Sequence, residues 1–316
     1  MSFASEVKEE VARQEINNDA KKAELSAILK LLSVMNISSR GLSLRVRSKN
    51  AVIIRMISQY VQDLYNTKPE IEVVKENKLY KNNIYAVVIR ENVTDILEDL
   101  DLWRDGGIRE YPRMKFLKND NMIRAFITGS FLATGSINSP NTTNYHLEIS
   151  CISEDYAHFL VRLLERYFIT RKITTRRDRY VVYLKASEQI SDFLRLMGAS
   201  DAIFTFEDVR IQRDFVNSLS RWNNCEIAND AKSLAAARKQ YEAVEYLIES
   251  GNIIKLSEKD QEIAMVRYEN PEAGFVELSQ IYEKKTGQVL SKSGIRHRFI
   301  KIIDLADKYR SRKESA

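Results

Sequence analysis

One segment constrains this chain more than any other. Arg124-Ala-Phe-Ile-Thr-Gly-Ser-Phe-Leu-Ala-Thr-Gly-Ser-Ile137 carries Ala125, Gly129 and Ala133 at four-residue spacing. Residues i, i+4 and i+8 share one side of a helix, and small side chains there let a second helix come close. A weaker copy, Leu25-Ser-Ala-Ile-Leu-Lys-Leu-Leu-Ser33, lies about a hundred residues earlier, and Ala23 and Ala27, with Ser26 beside them, begin the same stripe. The spacing predicts two helices packed face to face, one from each half of a duplicated domain.

The flanking pattern extends the duplication. The helix at 22–35 corresponds to one at 122–135. Alternating residues predict half-buried strands at Leu42–Arg47 and Leu147–Cys151. Amphipathic helices follow at Ala51–Tyr65 and Glu154–Phe168, then hairpins at 71–89, with a polar Lys75–Asn83 interior, and 172–184, turning near Arg177-Asp178. Each half closes on a helix, 91–103 or 187–197. Arg104-Asp-Gly-Gly-Ile-Arg-Glu-Tyr-Pro-Arg113 reads as an irregular connector.

From Glu207 onward the pattern is helical. One helix is expected over Glu207–Leu219. A second, capped by Asn229 or Asp230, runs to about Glu249 with Leu234, Ala237, Tyr241, Val244 and Ile248 at helical spacing, and Gly251 ends it. Three short helices complete the chain. Ser257 caps the first; the second is Phe275–Thr286, stopped by Gly287; Ser291 caps the third, whose apolar stripe is Ile295, Phe299, Ile302 and Ala306. This is the spacing of a helix-turn-helix, from Phe275 to Lys308. Ser293, Arg296 and His297 project away from the stripe, with Lys292 at the start and Arg298 and Lys301 on the flanks. Such residues on a recognition helix reach base edges or phosphates.

The net charge of +5 implies little by itself, but its distribution is uneven. Between Leu25 and Gln62 there is no acid, yet Lys30, Arg40, Arg45, Arg47, Lys49 and Arg55 are present. Arg171, Lys172, Arg176, Arg177 and Arg179 form a second basic cluster, and the third helix of the tail a third. No apolar run spans a bilayer, and Glu6, Glu9 and Glu10 stand where a signal peptide would be basic. A cytoplasmic, nucleoid-associated protein is expected, without membrane contact. Cys151 and Cys225 are the only cysteines, which argues against a disulfide framework or zinc cluster. His146, His158 and His297 are scattered, and no glycine-rich phosphate loop follows a strand. Neither metal nor cofactor is expected.

The 124–137 segment resembles the LAGLIDADG helix of homing endonucleases with its acid removed. Enzymes of that kind hold a divalent metal with a carboxylate at the end of each helix; the corresponding places here carry Leu32 and Thr134. Glu148, on a predicted strand, could approach the helix end, but a single carboxylate makes a weak site. Several segments resemble the WhiA family of bacterial regulators: Met1-Ser-Phe-Ala-Ser-Glu-Val-Lys-Glu-Glu10, Arg124-Ala-Phe with Gly129 and Gly135-Ser136, Tyr180–Lys185, Asn224–Asn229, and Ser291–Gly294 through His297-Arg298. Thr134, where the family often has glycine, Arg296, where it often has asparagine, and Trp222-Asn223, where it has an apolar pair, depart from its pattern.

The fold class expected is α+β. A duplicated LAGLIDADG-like N-terminal domain (helix–strands–helix–hairpin–helix) spans 1–220, with repeat one at 1–105, a connector at 106–121 and repeat two at 122–206. A linker helix and an all-α helix-turn-helix domain fill 221–316. The resemblance implies a non-catalytic, sequence-specific DNA-binding transcription factor linked to cell division, chromosome segregation and sporulation. Its partner would be double-stranded DNA, with RNA polymerase or a sigma factor as a protein alternative. Lys292, Ser293, Arg296, His297, Arg298 and Lys301 are the expected DNA-binding residues, and Arg45, Arg47, Arg176 and Arg177 the secondary contacts. A nuclease with a residual metal site is the competing reading.

Overall fold

A computed structural model describes residues 2–39, 41–75, 83–169 and 171–314. Arg40 and most of the 75–83 hairpin interior lie outside the described residues. The chain divides into two compact units, Met1–Asp214 and Phe215–Ala316.

In the first unit a short helix, α1 (Phe3–Ala12), precedes the duplication. Ser2 caps it, its Oγ accepting the Ser5 N–H. The sequence pattern had not marked this helix. Repeat one then runs α2 (Asn18–Leu32), β1 (Ser33–Ser38), β2 (Gly41–Ser48), α3 (Ala51–Tyr65), β3 (Glu70–Lys75), β4 (Asn83–Ile89) and α4 (Val93–Asp99). A two-residue ladder, β5 (Trp103–Arg104) with β6 (Gly107–Ile108), begins the connector. Repeat two is α5 (Asp120–Thr134), β7 (Gly135–Ile137), β8 (Leu147–Cys151), α6 (Glu154–Glu165), β9 (Lys172–Arg176), β10 (Arg179–Leu184) and α7 (Ser187–Leu196).

Each repeat builds one antiparallel four-stranded sheet, in the orders β1-β2-β4-β3 and β7-β8-β10-β9. An edge strand directly follows each central helix, where the sequence pattern extends the helices through 35 and 135. Helix becomes strand at Ser33 (φ −73°, ψ 139°) and Gly135 (φ −72°, ψ 152°). No loop residue marks the change; pairing of Ser33 with Val46 and Gly135 with Ile149 imposes it. Alternation puts Leu44, Val46, Leu147, Ile149 and Cys151 into the core. The second hairpin turns at Arg177 (φ 48°) and Asp178 (φ 62°), the left-handed pair of a tight two-residue turn.

Helices α2 and α5 pack against each other through the small-residue stripe. A Cβ added to Gly129 would stand 2.4 Å from the Glu24 carbonyl oxygen, so the backbones touch there. Ala23, Ala27 and Ala125 are buried alongside. The two buried serines of this contact are hydrogen-bonded. Ser26 Oγ donates to Leu100 O at 3.0 Å, and Ser130 Oγ bonds Phe126 O and the Tyr156 hydroxyl, each at 2.9 Å. The connector is held by Asp101, whose carboxylate accepts from the Arg113 N–H at 2.6 Å and from its guanidinium. That pairing pulls the Asp101 carboxyl below its ordinary range, against the desolvation that raises it.

The stretch after 200 differs from the two helices its sequence pattern predicts. A single helix, α8, runs from Ser200 to Glu249, with no break at 220–230. Residues 214–236 are all exposed. Asn and Asp are only mildly unfavourable inside a helix, so Trp222-Asn-Asn and Asn229-Asp230 do not interrupt it. Gly251, at φ +68°, follows its end as expected. The buried face of its last turns is Ala237, Gln240, Ala243, Val244 and Leu247, whereas Leu234 is exposed.

Candidate nucleic-acid interface

In the second unit, α9 (Glu258–Glu269), α10 (Phe275–Thr286) and α11 (Lys292–Glu314) surround one core. Ile295, Phe299, Ile302 and Ala306 are all fully buried, against Ile263, Leu278 and Tyr282. Gly287, at φ +69°, stops α10, a backbone angle that favours glycine. Across the turn Ser279 Oγ donates to Leu290 O at 2.5 Å, and Ser291 Oγ accepts the Gly294 N–H at 3.2 Å. At Gly294 a Cβ would meet Leu290 Cδ1 at 3.1 Å, so a side chain would crowd the turn. These contacts fix where the third helix starts and which side it shows.

A buried arginine was missing from the sequence reading. Arg267 closes the α9–α10 loop, donating to Ala273 O at 2.6 Å and to Gln240 Oε1 at 2.9 Å. Desolvation pulls its pKa down to about 10. Nothing in the periodicity of α9 could have marked it, because its partners are backbone carbonyls brought in by a loop and the side chain of Gln240 on α8.

On α11, Lys292, Ser293, Arg296, His297 and Lys301 are exposed, and no acid occupies the first turn. His297, Ser293 and Lys301 lie opposite the apolar stripe. Arg296 sits further round than its sequence position suggested. Together with Lys292 and Ser293 it lines a groove of about 740 Å³, whose apolar wall includes Phe275, Ile300 and Ile303. Arg298 differs from the other five. It is half-buried and ion-paired with Asp260 at 2.6 Å, while Ser257 Oγ donates to that same carboxylate at 2.6 Å. Its guanidinium ties α11 to the start of α9.

In the first unit, the charged strand residues facing away from the helices are Arg45, Arg47, Glu70 and Glu72 in one sheet, and Glu148, Lys172, Arg176 and Arg179 in the other. Arg45 is paired with Glu72 at 3.1 Å. Arg176 stands 3.7 Å from Glu148, which also meets His146 Nε2 at 3.0 Å. Arg47 forms no ion pair among the described residues, and Arg177 sits exposed in the hairpin turn. The two sheets therefore differ: acids offset the first face, while the second keeps an excess of positive charge.

At the ends of the central helices, Leu32 packs onto the core. Thr134 Oγ1 donates to Ser150 O at 2.6 Å. Among the described residues, no group of three or more His, Cys, Asp or Glu side chains is arranged to hold a metal ion. None of the described helices is long and apolar enough to cross a membrane.

Comparison with known proteins connects these features. Residues 18–103 match the WhiA N-terminal LAGLIDADG-like domain, residues 123–216 the WhiA LAGLIDADG-like domain, and residues 219–306 the WhiA C-terminal HTH domain. A "Probable cell division protein WhiA" of Ligilactobacillus salivarius (strain UCC118) is 38% identical over 311 residues, covering 98% of both chains. The protein so described in Staphylococcus aureus (strain Newman) is 39% identical over 311 residues, again covering 98% of both. The crystal structure of full-length DUF199/WhiA from Thermatoga maritima aligns with a TM-score of 0.58 at 21% identity, over 98% of this chain and 99% of that one, and shares its fold. Duplicated LAGLIDADG-like repeats followed by a helix-turn-helix, with relatives this similar over nearly the whole length, establish that the chain belongs to the WhiA family.

Proposed function

We propose that this protein is a sequence-specific DNA-binding regulator acting in cell division, and that α11 is its reading helix. The observation carrying this is the row of exposed Lys292, Ser293, Arg296, His297 and Lys301 on a helix whose other side is locked into the core. Arg296 pairs with a guanine edge, whose O6 and N7 accept from both arms of a guanidinium. Lys292 and Lys301 hold phosphates, setting register and making affinity salt-dependent. Arg298 acts through Asp260 to orient the helix. Regulation is transcriptional, with chromosome segregation and sporulation among the affected processes, and the protein works in the cytoplasm on the nucleoid.

The LAGLIDADG-like domain, 1–220, is a non-catalytic scaffold. Leucine cannot ligate Mg²⁺, and the Thr134 hydroxyl is already bonded to a main-chain carbonyl. Its second sheet supplies auxiliary phosphate contacts through Arg176 and Arg177; Arg45 and Arg47 contribute less, because Glu70 and Glu72 share their face. The linker helix and helix-turn-helix, 221–316, carry the specificity. The groove beside Arg296 favours a second role for this domain, docking a protein such as RNA polymerase or its sigma factor. A binding selection on randomised duplexes tests the main reading: the parent enriches one site, and Arg296→Ala relaxes one position of it. Enrichment of no site by the parent would refute it. Nicking of supercoiled plasmid with Mg²⁺ that disappears in Glu148→Gln would restore the nuclease reading.

A further inference from the structure

Beside the junction of α5 and β7 lies a cavity of about 450 Å³, of whose charged lining only Arg47 has a role above. Lys8 from α1 and Arg47 and Lys49 from the end of β2 line it, together with Ser5, Ser48 and Asn50. Three cationic residues line it, Arg47 and Lys49 with exposed side chains, and among the described residues none of them forms an ion pair. The contrast with Arg45, two residues before Arg47 and paired to Glu72, is direct. Glu9 is reached by Asn50 Nδ2 at 3.5 Å but is itself paired with Arg13 at 3.3 Å. Lys8 is packed over the Phe131 ring, 5.6 Å from its centre, and burial drops its pKa to about 8. Phe131 can lie there because Gly135 has no side chain: a Cβ on Gly135 would collide with the ring. Ser48 Oγ accepts the Asn50 N–H, which leaves its own O–H to donate. Ser2 and Ser5, at the positive end of α1, form another wall.

An ammonium drawn out of water without a carboxylate is unfavourable unless an anion replaces its hydration. Two further cations, a helix N-terminus and hydroxyl donors suit a tetrahedral oxyanion better than a planar carboxylate, since they offer donors from several directions. We propose that this cavity binds a phosphate group, either free or carried by a nucleic acid backbone. The proposal is independent of α11, which lies in the other unit.

The test uses the full chain and two probes. One is inorganic phosphate, followed by ³¹P line broadening. The other is a short duplex of arbitrary sequence, titrated across a range of salt. The variants are Lys8→Met, Lys49→Met and the pair together, with Lys8→Arg as the charge-preserving control. Loss of each cation should weaken phosphate binding roughly tenfold, or lower the DNA salt slope by about one. Lys8→Arg should retain binding. Lys8→Met should melt no lower than the parent, because the ammonium has no acid to lose, which separates a binding defect from misfolding. Loss in both arms, or in the duplex arm alone, assigns the phosphate to a nucleic acid backbone. Loss in the free-phosphate arm alone assigns a small phosphorylated ligand. Unchanged behaviour in both arms overturns the proposal. Arg296→Ala should leave the free-phosphate arm untouched, so failure of the reader helix and failure of this site are told apart.

Discussion

Glu24 offers a direct test of the packing between the two central helices. Its side chain is 4% exposed, its Oε1 has no hydrogen-bond partner, and burial pushes its pKa up to about 8 from an ordinary 4.5. The folded protein therefore keeps this proton over a pH range in which the unfolded chain has released it. Between those two values, rising pH favours unfolding by about 1.4 kcal/mol per unit. From pH 5 to pH 7 the cost amounts to about 2–3 kcal/mol. Glu24→Gln keeps the shape and removes the ionisation. Its new amide N–H groups carry their own penalty, about 1–3 kcal/mol if unpaired, but that penalty does not change with pH. Denaturant unfolding at pH 5, 6 and 7, followed by hydrogen exchange of α2 peptides, measures the difference between variant and parent. The gap should move in the variant's favour by about 2–3 kcal/mol across that range and stop growing above pH 8. Parallel pH profiles for the two proteins would refute the reasoning.

Further outcomes follow from individual contacts. Gly129→Ala places a methyl 2.4 Å from a backbone oxygen that has no rotamer to escape into, and should destabilise the first unit by about 1–3 kcal/mol; equal denaturation midpoints would show that the helices separate freely. Arg298→Met leaves the Asp260 carboxylate without its guanidinium, at about 1–3 kcal/mol, and should lower the melting of the second unit while Arg296→Ala leaves it unchanged. Should both melt like the parent, Arg298 is not the anchor of α11. Arg296→Ala should cost about 1–3 kcal/mol on the preferred DNA site and little on random DNA. Lys301→Ala should weaken all sequences alike and lower the salt slope by about one; a loss confined to one sequence would assign it to a base.

Much of the repeat was legible because it rests on local periodicity. The Ala51–Tyr65 helix has the bounds its pattern predicted, with Asn50 as cap, and the Arg177-Asp178 turn lies where expected. The edge strands β1 and β7 were not legible, because each is defined by a neighbour far along the chain rather than by its own composition. The break read into 219–230 failed for a related reason: cap-forming residues end a helix only when the chain must turn. In the candidate reader, the buried stripe identified the core side of α11 directly. Distinguishing Arg298 from Arg296 required Asp260, 38 residues away in the chain.

The amino-acid pattern alone determined the duplication, the small-residue contact between its halves, the helical tail and the basic character of the last helix. These follow from nearest-neighbour geometry, in which spacing of 2 or 3.6 residues decides which face is buried. Tertiary structure alone decided which charges are free and which are tied. Among the described residues Arg45, Arg176 and Arg298 meet carboxylates and Arg47 does not, and Lys8 lines the same cavity as Arg47 and Lys49 from a helix the pattern did not reveal. Coulomb interactions depend on separation in space and on solvent access, and neither quantity is written in the order of residues along the chain.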